Sequence, residues 1–226
     1  MRRSALAIAG ICLLATGCGY SISNASSPTP TRTMIPRPLV ERELAGLLLS
    51  PEQAAATMGA TALTVTESQT SMSDHSAIMA PPECLAIDGA AELQVYANSG
   101  YRAERDQSLN DGDDFKHYLK QSVVLFPYLE KAQEFFEASA EQWPACHQYT
   151  HTQSGSQWTV GEITNANGAL STVATQQDAA APGWACGRAL VHRNNVIVDV
   201  NTCSADPADT ALKIADQIAT NVTAQW

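Results

Sequence analysis

The six cysteines are the most chemically capable residues in this 226-residue chain. Cys12 lies inside an apolar run, Cys18 follows small residues, and Cys84, Cys146, Cys186 and Cys203 are spread through the remainder. None of these last four forms the C-x-x-C pair used by zinc sites and thioredoxin-like centres. In an exported chain, four well-separated cysteines read as two disulfides, with three possible connectivities. His147 and His151 lie four apart, which would place both on one face of a strand. No further ligands accompany them, so they read as surface histidines rather than a metal site. Asn110-Asp111-Gly112-Asp113-Asp114 is acidic but lacks the spaced ligands and terminal Glu of a calcium loop, so it reads as a turn. Trp158 and Trp184 could line a cleft, although core or disulfide packing is the commoner role for such residues. Glu130, Glu134, Glu137 and Glu141 form one acidic helical stripe, read first as a solvated face and second as a surface for a basic partner.

Catalytic signatures are missing. There is no G-x-S-x-G, H-E-x-x-H, G-x-G-x-x-G or P-loop. The sequence therefore predicts a non-catalytic protein with no cofactor and no metal. Thirteen Lys and Arg stand against 23 Asp and Glu, a net charge of −10, and removing an N-terminal leader that holds Arg2 and Arg3 makes the rest more acidic still. Nucleic acid is excluded as a partner, because phosphate binding needs a basic footprint. Anionic lipid headgroups would repel the domain for the same reason.

That leader is residues 1–17. Arg2 and Arg3 precede an uncharged run from Ala5 to Ala15, which has signal-peptide length and is too short for a permanent span. Leu14-Ala15-Thr16-Gly17-Cys18 then resembles a bacterial lipobox. The expectation is cleavage before Cys18 and lipid on its sulfur, worth about 0.8 kcal/mol per buried CH₂. This anchor would hold the chain on the extracytoplasmic face of the cell membrane. Residues 18–38 are dense in Ser, Thr, Asn and Pro and read as a tether. The folded domain is expected over 39–226.

Within that domain the periodicities predict short helices over 39–49 and 50–59, the second with Ser50 as N-cap, Pro51 at its first position and Gln53 reaching back. A strand follows at 61–66, a polar loop at 67–82 and a helix at 83–98. Two strands, 101–109 and 115–126, flank the Asn110–Asp114 turn. The helix over 127–143 carries an apolar stripe of Tyr128, Leu129, Ala132, Phe135, Phe136 and Trp143. Strands are expected at 147–152, 157–164, 169–175, 184–193 and 196–203, before a last helix from Asp206. The fold class is α+β: an antiparallel β-sheet meander with helices packed on it.

The last hairpin fixes the disulfides. With Asn194-Asn195 as a two-residue turn, Arg193 faces Val196, and counting outward places Cys186 opposite Cys203. Seven steps from the hydrogen-bonded pair at the turn reach a non-hydrogen-bonded pair, where Cα atoms approach to about 4.5 Å and a disulfide fits. The prediction is Cys186–Cys203 and, by elimination, Cys84–Cys146.

Several of these features occur together in one family. L-L-L-S-P-E-Q-A-A-A-T-M-G-A from Leu47, P-P-E-C from Pro81, Cys146 after the Trp143 helix, and G-W-A-C-G-R-A-L at Gly183 with Cys203 closing the hairpin resemble the extracellular sensor domain of the mycobacterial Ser/Thr kinase PknH, also found in stand-alone mycobacterial lipoproteins. The resemblance covers roughly Leu39 to Trp226. It implies an antiparallel sheet with helices, two disulfides, and a cleft for a ligand. The functional expectation is a lipid-anchored binding or sensory protein whose partner is a small ligand or an envelope protein; a scaffolding lipoprotein and an envelope hydrolase are the alternatives.

Overall fold

The structure, a computed structural model, describes residues 36–225. Cys18, the leader and most of the tether lie outside the described residues.

The first helical turns are short. Glu41–Gly46 is a 3-10 helix, shorter than the helix expected over 39–49. Helix α1 (Pro51–Met58) starts as its sequence dictates: Ser50 Oγ accepts from the Gln53 backbone N–H, Gln53 Oε1 accepts from the Ser50 N–H, and Gly59 ends it at φ 69°. Strand β1 (Thr64–Gln69) lies slightly later than expected, and the loop after it holds a 3-10 turn at Ser76–Ile78 and the two-residue strand β2 (Met79–Ala80).

The single helix expected over 83–98 is broken. A 3-10 turn at Pro82–Cys84 leads into helix α2 (Leu85–Asp88), the chain extends at Gly89, and helix α3 is only Leu93–Tyr96. The break has a tertiary cause. Ala90 and Ala91 are fully buried, the Ala91 N–H donates to Asp199 Oδ2 (2.9 Å), and the Leu93 N–H donates to the Ser73 carbonyl (2.8 Å). Small residues and outside acceptors let this segment pass through space that a continuous helix, roughly 10 Å wide, would overfill.

Strands β3 (Ala103–Asn110) and β4 (Tyr118–Leu125) form a hairpin, and helix α4 (Leu129–Gln142) follows. Its buried side is Ala132, Phe136 and Ser139, with Trp143 just beyond. Tyr128 and Leu129, expected in the stripe, are exposed. Tyr128 is still extended (φ −158°, ψ 166°), so the helical period does not yet apply there. The last half is strand-rich: β5 (Gln148–His151), β6 (Gln157–Val160), β7 (Thr164–Ala166), β8 (Ala169–Gln176), β9 (Ala185–Arg193) and β10 (Val196–Ser204), closed by helix α5 (Thr210–Thr223). The strand expected over 157–164 is therefore two pieces, β6 and β7.

One ten-stranded sheet holds them, ordered β1-β3-β4-β10-β9-β8-β6-β5-β2, with β7 beside β8. The meander from β5 to β10 joins the β3–β4 hairpin through long-range antiparallel pairing of β10 with β4. Consecutive strands β1 and β2 thus sit on opposite edges, eight strand steps apart. Measured along a flat sheet that is about 38 Å, whereas the ten residue steps from Gln69 to Met79 reach at most about 34 Å. The sheet must curl, and residues 70–78 form a strap across its mouth.

The two faces differ. One is apolar and packs α1, α5 and the 41–46 turn through Leu119, Val123, Val198, Ile214 and Ile218. The other changes character along each strand. Val124 of β4, Phe126 just past its end and Ile197 of β10 lie in the second core, beneath α4. Next come buried polar side chains: Ser122, Asp199, and Glu104 and Asp106 of β3. Beyond these the same face opens into a cleft at Ser108, Tyr118, Lys120, Asn201 and Cys203.

Candidate functional site

The cleft encloses about 480 Å³, within the range of small-molecule sites. Its floor is the end of the curled sheet just described. The strap contributes Ser73, His75 and Ile78, the α2–α3 break contributes Asp88, Gly89 and Glu92, and β5 and β6 contribute His151 and Trp158. Glu67, Gln69, Phe115 and Trp184 also line it.

Two histidine–carboxylate pairs hold its walls. His75 Nδ1 lies 2.7 Å from Glu92 Oε1, and the His75 backbone N–H donates to Glu92 Oε2 (2.9 Å). Glu92 is 3% exposed, so its carboxylate is one of the main fasteners of the strap. Gly89 makes room for it: a Cβ there would stand 2.7 Å from Glu92 Oε1. The strap is fastened again by Lys120 Nζ donating to Ser73 Oγ (3.0 Å) and Gln94 Nε2 donating to Asp74 (3.0 Å).

On the opposite wall His151 Nε2 lies 2.7 Å from Asp88 Oδ1. That hydrogen bond holds the imidazole above its ordinary pKa, against the pull of burial. The other ring nitrogen, Nδ1, is 3.3 Å from Ser156 Oγ, which also accepts from the Trp158 indole N–H (3.3 Å) and contacts Ser154 Oγ (2.9 Å). A serine, a histidine and an aspartate are thus in series, but the hydroxyl is tied to three side chains at once. The Ser156 N–H, a natural donor to an oxyanion, is given to Ser154 Oγ (3.2 Å). The arrangement fixes the His151 and Trp158 rings.

Behind the floor lies a belt of buried charge. Arg188 and Asp199 form an ion pair, and Asp199 Oδ2 also accepts from the Tyr96 hydroxyl (2.8 Å). The Arg188 guanidinium lies 5.4 Å from the centre of the Trp143 ring. Lys120 Nζ is 3.7 Å from Asp106 Oδ2 and links the belt to the cleft. Burial, then the neighbouring Asp106, pushes the Glu104 carboxyl up to about 8.

The sequence-predicted residues fare differently. Cys186 pairs with Cys203 (Cα–Cα 4.1 Å), directly opposite in register, and the bond lines the cleft. Cys84 pairs with Cys146 (Cα–Cα 5.0 Å) and ties the start of α2 to the end of the α4 segment. Trp158 and Trp184 both border the cleft, and both also serve the commoner role: Trp158 is a buried member of the second core and Trp184 packs against it. His151 enters it, while His147 is exposed and precedes β5; the described residues hold no metal-ligand group. The 110–114 segment is a hairpin turn in which Asp111 accepts from the Lys116 and His117 backbones (2.8 and 3.2 Å). The glutamates of the α4 stripe are exposed, with Glu134 paired to Lys131.

Sequence reasoning missed Asp88, Glu92, His75, Lys120, Asn201 and the belt. A signal existed: Tyr118-x-Lys120-x-Ser122 and Asp199-x-Asn201 put polar groups at alternate positions of strands whose other positions include Leu119, Val123, Val198 and Val200. Such a pattern marks a second, polar but covered face.

Architecture and site define a class: an antiparallel sheet, curled by its own connectivity, with a strapped cleft and two disulfides. A family profile for the PknH-like extracellular domain matches residues 39–221, and the chain belongs to that family. It is 32% identical over 203 residues to the serine/threonine-protein kinase PknH of Mycobacterium bovis, covering 88% of this chain. PknH of Mycobacterium tuberculosis (strain H37Rv) is 32% identical over 198 residues, covering 85%. This chain spans about a third of the length of those curated relatives (33% and 31%). The crystal structure of the extracellular domain of Mycobacterium tuberculosis PknH superposes with a TM-score of 0.78 at 31% identity, covering 83% of this chain and 98% of that one. No helix of the described residues is long and apolar enough to cross a membrane.

Proposed function

We propose that this protein is a lipid-anchored, non-catalytic sensor or binding protein on the extracytoplasmic face of the cell membrane, and that its strapped cleft holds a small polar ligand. The cleft carries the reading: aromatic rings and polar groups converge in one cavity, closed by a strap whose fasteners are side chains. Membership of a kinase's extracellular-domain family supports a sensory role. Cys18 is the proposed anchor, since the acidic domain gains nothing from anionic headgroups.

Two measurements test this. Purified protein equilibrated with cell-envelope extract should retain a small molecule in native mass spectrometry, and Trp184→Ala should lose it; an empty wild-type protein would sink the cleft reading. Cys18→Ala should move the protein out of the membrane fraction, and continued membrane attachment after normal cleavage would refute the anchor.

The exposed α4 stripe supports a second reading, a scaffold for a basic partner. In-cell crosslinking should then recover one partner, lost on charge reversal of Glu134 and Glu137.

A further inference from the structure

Most charged groups of the cleft face a partner inside the protein; among the described residues only Glu67, exposed at the rim, has none. Asp88 faces His151 at 2.7 Å, Glu92 faces His75 at 2.7 Å, and Lys120 faces Asp106 at 3.7 Å. An anionic ligand would have to approach Asp88, Glu92 and the unpaired Glu67; a cationic one could pair with Glu67 only at the exposed rim, where an ion pair contributes little, and would have to approach the more buried Lys120 and His151. Either would break an internal pair or leave a half-buried charge without its partner, which is costly. A neutral ligand meets no such penalty.

Hydrogen-bonding capacity remains. Among the described residues the Gln69 side-chain amide and His75 Nε2 have no protein partner, and Lys120 makes one hydrogen bond with its three donors. Asn201 donates to the Asp88 carbonyl (3.1 Å), and its Oδ1 contacts only the sulfur of disulfide-bonded Cys203, which carries no proton to give. Donors and acceptors are therefore mixed around one space. That suits hydroxyl groups, which do both, and does not suit an acyl chain.

The aromatic wall narrows the class further. Phe115 and Trp184 lie 6.1 Å apart, nearly parallel (28°), with Phe115 half exposed. The separation is too small to sandwich a planar base between them, which needs about twice the 3.5 Å contact distance. An open ring face is instead available to a saturated ring with axial C–H groups. Resting on the reading of the cleft as a ligand site, we infer that its ligand is a neutral polyhydroxylated molecule, a saccharide, packed on Trp184 and Phe115 and hydrogen-bonded by Gln69, Asn201 and Lys120.

The experiment titrates the purified, oxidised protein with neutral gluco-, manno-, galacto- and arabino-tetrasaccharides, followed by tryptophan fluorescence and saturation-transfer NMR. Tetragalacturonate, spermidine, adenosine and monopalmitoylglycerol serve as anionic, cationic, planar and lipid comparators. At least one neutral saccharide should bind saturably, with affinity unchanged between about 0.05 and about 0.5 M salt. Trp184→Ala, and separately the rim variant Gln69→Ala, should weaken it at least about tenfold, roughly 1.4 kcal/mol. Binding of a comparator but of no saccharide overturns the ligand class and leaves the cleft reading standing. Saccharide binding that both variants leave intact, or no binding by any probe, also overturns it. The cleft reading itself fails only if the envelope extract yields nothing.

Discussion

Glu104 and Asp106 stand two residues apart on the same face of β3, each 1% exposed, and no described donor reaches any of their four side-chain oxygens within hydrogen-bond distance. Two buried carboxylates cannot both ionise at such range, so the pair keeps a proton, carried by Glu104. With Glu104 neutral, Asp106 and Asp199 balance Lys120 and Arg188.

This sets a pH dependence. The folded Glu104 holds its proton up to about 8, whereas an unfolded glutamate releases it near about 4.3. Between those values the folded state binds the extra proton, so stability present below the unfolded pKa is lost as pH rises through the folded one. His151, also raised, acts in the same direction. Glu104→Gln should flatten the slope of urea midpoint against pH and leave the variant at least as stable as the parent at about pH 8.5. An unchanged slope would show that Glu104 ionises normally.

Asp199 joins Arg188, the Tyr96 hydroxyl and the Ala91 N–H in one place. Asp199→Ala strands a buried guanidinium and should cost about 3–5 kcal/mol in chemical denaturation. Asp199→Asn, which retains an acceptor for Tyr96, should cost less.

Gly89 is required by contact rather than by backbone angle, since its φ is −126°. Gly89→Ala forces the Glu92 carboxylate away from His75 and should cost about 1–3 kcal/mol. Amide hydrogen exchange should rise first in the strap, residues 73–76. A loss of protection confined to α5 would contradict the role given to Glu92.

The two disulfides close loops of different length, with separations of 62 and 17 residues. Paired Ala replacement of Cys84 and Cys146 should cost about 4 kcal/mol, and of Cys186 and Cys203 about 3 kcal/mol, from loop entropy. Only the second pair lies in the cleft, so only its removal should also perturb Trp184 fluorescence.

Ser156 should not behave as a nucleophile. A fluorophosphonate probe is expected to leave it unlabelled, while Ser156→Ala should shift the His151 titration seen by NMR, because the hydroxyl contacts Nδ1. Stoichiometric labelling would revive an enzymatic reading.

The strand periods, the α1 capping box, the Asn194-Asn195 hairpin register and hence both disulfide pairings were legible in the sequence. These features depend on neighbours near in the chain, or on counting from one turn. The break at Gly89 was not legible, because the groups that satisfy its backbone, Asp199 and the Ser73 carbonyl, are remote in sequence. Nor was the strap, which follows from β1 and β2 occupying opposite edges of one sheet. Trp184 and Asn201 could be read as aromatic and polar residues of strands, but which space they share depends on how the sheet curls. Local periodicity chose the elements and the cysteine pairs; the pairing of β10 with β4 and the limited reach of residues 69–79 made the cleft.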